Sequence, residues 1–77
     1  MKHVEILEIA KRVKLPSSDI DAIIEYLEHN EWGIAFEVLC SAIENDQLPI
    51  SSDEYIQIRR IGESMGMDSN LWEVFQP

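Results

Sequence analysis

Apolar residues recur along this chain at intervals of three and four, the period of helices with one buried face, and turn-forming residues interrupt that rhythm at four places. The interruptions are Pro16-Ser17-Ser18, Asn30-Glu31, the stretch from Asn45 to Ser52, and Gly66-Met67-Asp68. Ahead of the first, Val4, Leu7, Ala10 and Val13, flanked by Ile6 and Ile9, predict an amphipathic helix that stops before Pro16. Proline disfavours helical geometry in its predecessor, so Leu15 is expected to be extended. Ser18 is placed to cap a second helix, with Asp21 three residues on as the partner of a capping-box-like pair. Ile20, Ile23, Ile24 and Leu27 mark the apolar face of that helix, which runs to His29-Asn30.

A third helix is expected from about Trp32 to Asn45, with Ala35, Phe36, Leu39, Ala42 and Ile43 facing inward and Val38 and Cys40 at the margins. It is the most apolar segment and the expected centre of the core. Leu48 and Ile50 anchor the loop that follows. Ser51 with Glu54 forms a second capping-box pattern, this time opening a helix whose buried stripe is Tyr55, Ile58, Ile61 and Met65, and Gly66 is placed to end it in a left-handed cap. Asp68-Ser69-Asn70 then starts a short turn that brings Leu71, Trp72, Val74 and Phe75 back to close the core. No segment alternates with period two, so no sheet is expected. The prediction is an all-α fold: residues 1–77 as a single small domain, a compact bundle of four helices plus a short C-terminal helical turn.

The polar faces change the picture from fold to function. At about 100° per residue, Asp21, Glu25 and Glu28 share one ridge of the second helix, with His29 beside them, while Glu37, Ser41 and Glu44 line the exposed side of the third. Like charges at this spacing destabilise a helix by about 0.2–0.5 kcal/mol per pair, a cost that interspersed lysines would remove. There are none: residues 15–58 hold ten acidic side chains and no Lys or Arg, and this block accounts for nearly all of the net charge of −9. Such a field repels nucleic-acid phosphates and anionic membrane surfaces and attracts basic proteins; its bland alternative is a solvated face that keeps the protein soluble.

Catalytic and metal chemistry find little support. One cysteine and two histidines far apart, His3 and His29, fall short of a structural zinc set. Asp68-Ser69-Asn70 lacks the glycine and terminal glutamate of a calcium loop, and the three glycines are isolated, so no phosphate cradle is present. Cys40 lies on the apolar third helix and reads as a small core residue. No cofactor and no enzymatic role are expected. With a single cysteine, no export-type apolar stretch after Met1 and no bilayer-length apolar run, the expected compartment is the cytoplasm. Trp32 and Tyr26 stay open between two roles, packing residue and half-exposed binding anchor, since both residue types are enriched at interface hot spots.

The run Ile23-Ile24-Glu25-Tyr26, continuing through Asn30-Glu31-Trp32-Gly33-Ile34-Ala35-Phe36-Glu37-Val38-Leu39 to Pro49-Ile50-Ser51 and Tyr55, resembles the MafI-type immunity proteins of bacterial polymorphic and contact-dependent growth-inhibition toxin systems. Glu31, Gly33, Ala35, Glu37, Ile50, Ser51 and Tyr55 carry the match, Met65-Gly66-Met67 and Trp72 add to it, and the likeness extends over nearly the whole chain. It implies a cytoplasmic protein that binds the toxic domain of a cognate effector, often a nuclease, and blocks it. A nuclease site is basic because it must hold a polyanion, so the charge pattern agrees independently. The expected interface comprises Asp21, Glu25, Tyr26, Glu28, Glu31, Trp32 and Glu37, in a one-to-one complex with a basic toxin domain and without direct contact to nucleic acid or membrane. The alternative is an acidic helical adaptor or nucleic-acid mimic that sequesters a basic host protein.

Overall fold

The computed structural model describes residues 2–75, with side chains from His3 onward. Five helices follow one another: α1 (Lys2–Arg12), α2 (Ser17–Glu28), α3 (Trp32–Asn45), α4 (Ser52–Ser64) and the single turn α5 (Asn70–Glu73), with no strand among the described residues. The fold is all-α, four helices and a short C-terminal one. None of the helices is long and apolar enough to cross a membrane.

One apolar cluster holds them together, and α3 is its axis. Ala35, Phe36, Leu39, Cys40, Ala42 and Ile43 are buried along α3 and meet Ile6, Ile9, Ala10 and Val13 of α1, Ile23 of α2, Ile58 and Ile61 of α4, and Trp72 of α5. Each large side chain removed from water contributes roughly 1.5–3 kcal/mol. Among the described residues no polar or charged side chain is buried with them. The most extensive helix contact is α2 with α3; α1 lies against α2, α3 and α4, and α5 packs against both α3 and α4.

Three expectations need correction. The buried face of α1 is Ile6, Ile9, Ala10 and Val13, while Val4 is 46% exposed and Leu7 half-buried. At about 100° per residue the first set spans about 100° of the helix, against about 180° for Val4, Leu7, Ala10 and Val13, and only the narrower stripe fits against neighbouring helices. Helix α2 begins two residues earlier than expected. Pro16 is its N-cap, at φ −54° and ψ 148°, and its carbonyl accepts from the backbone N–H of Asp19 (3.0 Å) and Ile20 (3.1 Å); Ser18 falls inside the first turn and no side chain caps the helix. At the C-terminus, Trp72 is buried at 3% exposure and Phe75 half-buried, but Val74 points to solvent at 56%.

The remaining boundaries follow local chemistry. Ser51 and Glu54 form the reciprocal capping box, the Glu54 N–H donating to Ser51 Oγ at 3.1 Å and the Ser51 N–H to Glu54 Oε1 at 2.9 Å. Each of the four longer helices ends in a Schellman motif, with Lys14, Asn30, Gln47 and Gly66 in the left-handed region at φ 63°, 59°, 51° and 70°. The six-to-one bonds run from Leu15 to Ala10, Glu31 to Tyr26, Leu48 to Ile43 and Met67 to Gly62, at 2.8–3.1 Å. The residue donating that bond normally folds an apolar side chain back onto the helix. Leu15, Leu48 and Met67 do so; at the α2–α3 junction the position is Glu31, and it is exposed.

Candidate partner-binding surface

Two surface features flank the α2–α3 junction. The first is the acidic ridge of α2. Asp21, Glu25 and Glu28 are exposed, as are Glu31 after it and Glu37 and Glu44 on α3. The ion pair among the described residues lies elsewhere, between Arg59 and Glu63 of α4 at 3.2 Å, and Arg12 of α1 donates to Gln57 Oε1 at 3.3 Å. No carboxylate of the ridge is paired with a cation among the described residues. His29, at the end of α2, hydrogen-bonds through Nδ1 to the Glu25 carbonyl oxygen at 2.8 Å. That bond, with the nearby carboxylates of Glu25, Glu31 and Glu28, raises its pKa above the ordinary 6.5.

The second feature is a groove of about 680 Å³ where the start of α1, the start of α3 and the end of α4 meet. Trp32 lines it. Its position on α3, four residues before Phe36 and seven before Leu39, continues the buried stripe of that helix past the end of the core. Among the described residues the His3 ring covers part of it, and Trp32 remains 41% exposed. The His3 ring stacks parallel to the indole with centroids 4.7 Å apart and 1° between planes. Met65 and Met67 contribute from beyond α4, Ile34 (42% exposed) from α3, and Glu31 is the acidic residue of the lining. Gly33 faces Met67, yet a β-carbon there would stand 3.6 Å from the Met67 sulfur, an ordinary contact, so Gly33 is not required for close packing.

Ile34 also borders a neighbouring depression of about 500 Å³, where Asp19, Glu37 and Asp46 surround Val38 and Ala42. Of the residues anticipated for an interface, Glu31 and Trp32 therefore share the groove, Glu37 lies in the adjoining depression, and Asp21, Glu25 and Glu28 form the separate ridge of α2. Tyr26 is half-buried and packs against the core, which favours the packing role over that of an exposed anchor. His3, Ile34, Met65 and Met67 were not anticipated. Ile34 carried a signal, an isoleucine on the polar side of α3; the other three reach the groove through contacts between distant parts of the chain.

Cys40 is buried at 1% exposure, and burial pushes its thiol pKa up to about 12, so it holds its proton and behaves as a core side chain. Among the described residues no three His, Cys, Asp or Glu side chains converge as metal ligands would. Comparisons of the chain with protein-family models, with characterised proteins and with solved structures returned no match.

Proposed function

We propose that the protein is an immunity protein of a bacterial polymorphic or contact-dependent toxin system, which binds the basic toxic domain of its cognate effector, of the nuclease class, one-to-one in the cytoplasm and neutralises it without any catalytic step. The observation that carries this reading is the row Asp21, Glu25 and Glu28: exposed, unpaired among the described residues, and set in a segment, residues 15–58, with no Lys or Arg. A nuclease must present cations to a polyanion, and carboxylates held at helical spacing on a rigid ridge meet the same cations. Long-range attraction speeds the encounter, and a few desolvated side chains then set the lifetime of the complex.

The test is protection. The toxin domain encoded beside this gene, expressed alone, is expected to arrest growth, and co-expression of the full chain is expected to restore it. Replacing Glu25→Lys and Glu28→Lys together should weaken protection while leaving the helical fold intact. Growth arrest that persists in the presence of the unaltered protein would refute the proposal.

A further inference from the structure

We infer that the Trp32 groove receives an apolar side chain carried on a basic segment of the partner, making the groove the anchoring half of an interface whose steering half is the acidic ridge. This rests on the proposed reading of the ridge and adds to it the chemistry of what docks.

Three observations lead to it. The groove is the open end of the core stripe of α3: Trp32 stands where the next inward residue belongs, and 41% of it remains in water along with 42% of Ile34. Trp32, Ile34, Met65 and Met67 give it an apolar surface, bordered by His3, Asn30, Glu31 and Ser64, and the two unbranched methionines can adapt to branched or aromatic side chains of varied shape. Around it, among the described residues, the charged side chains are carboxylates, with the titratable His3 beside them. Glu31 lines the groove itself, Asp19, Glu37 and Asp46 line the depression that shares Ile34, and among the described residues no Lys or Arg lines either.

That charge decides between occupants. A second copy of this chain meeting it face to face would bring like charges together at Glu31 and Glu37, whereas an apolar side chain flanked by Lys or Arg satisfies both the groove and its rim. The exposed Glu31 at the end of α2 fits the same account. An apolar residue there, as at the other three helix ends, would fold back onto its own helix and leave the rim uncharged.

The experiment uses the full-length, isotope-labelled protein and three synthetic peptides at low salt, followed through backbone amide resonances. One peptide carries a central leucine flanked by lysines, the second a serine in its place, and the third a leucine flanked by glutamates. The lysine-flanked leucine peptide is expected to bind at least about tenfold more tightly than the serine peptide, reflecting burial of one aliphatic side chain. The amides of Gly33, Met65 and Met67 should move as it binds. Ile34→Ser, at an exposed position, and Trp32→Ala should each erase most of that difference without altering resonances of the core.

Equal binding of the leucine and serine peptides, with shifts confined to α2, would overturn the inference and leave the basic-partner reading standing. Equal binding of the lysine- and glutamate-flanked leucine peptides would overturn it by removing the basic partner. Concentration-dependent shifts at Gly33 and Met67 without peptide would give the groove to a second copy. Absence of binding by all three would also overturn it, while the growth assay decides the underlying reading separately.

Discussion

At Gly62 the buried face of α4 has no room for a β-carbon, because the Trp72 ring lies directly on the helix backbone there and makes an edge-on pair with Phe36, centroids 6.1 Å apart at 70°. An alanine would raise helix propensity by about 1 kcal/mol and collide with an aromatic ring that cannot retreat without opening the core. Collision should win. Gly62→Ala is expected to lower the free energy of unfolding by about 1–3 kcal/mol in urea denaturation, with Gly33→Ala neutral or stabilising in the same assay. Equal stability of the two variants would mean that Trp72 does not sit on α4. This contact was not legible in the sequence, where Gly62 is one more residue inside a helical pattern and Trp72 follows a turn; neither position names the other. The stacking of His3 on Trp32 was hidden for the same reason, while the burial of Phe36 was readable because it depends only on its place in a local stripe; Cys40, expected at the margin of that stripe, is buried as fully as its centre.

The helices were legible where one local signal dominates and misplaced where two compete. Ser51 and Glu54 satisfy each other's backbone partners, and nothing nearby offers a better cap. At α2, Ser18 had a rival: Pro16 provides the corner and the accepting carbonyl by itself, and the helix starts there. The helix ends tell a similar story. Gly66 announces its left-handed turn, but Lys14 and Gln47 adopt the same conformation under the pull of Leu15 and Leu48, which are drawn into the apolar cluster just beyond them. A side chain with a β-carbon is strained in that region by roughly 1–2 kcal/mol, part of which glycine returns as extra freedom in the unfolded chain. Lys14→Gly and Gln47→Gly are each expected to raise the free energy of unfolding by about 0.5–1 kcal/mol. Destabilisation by either substitution would show that these ends are held by side-chain contacts instead of by the turn.

Across the whole molecule, acidic and basic side chains are segregated along the chain in a way that packing alone does not require. The core is complete without Trp32, Ile34 or any residue of the α2 ridge, and the basic residues lie outside the segment that carries the acids, at positions up to Lys14 and from Arg59 onward. The ridge was readable from spacing because carboxylates at helical intervals opposite an apolar stripe must face water. The groove was not, since it forms only when the starts of α1 and α3 and the end of α4 come together. A surface of this kind predicts association governed by long-range attraction. The most direct measurement is the association rate between this protein and the basic toxin domain proposed as its partner, followed by stopped flow as ionic strength rises. The rate is expected to fall by about tenfold or more between roughly 0.05 and 0.5 M salt, and the Glu25→Lys, Glu28→Lys variant should start slower and respond less to salt. A rate indifferent both to salt and to the charge reversal would contradict the account.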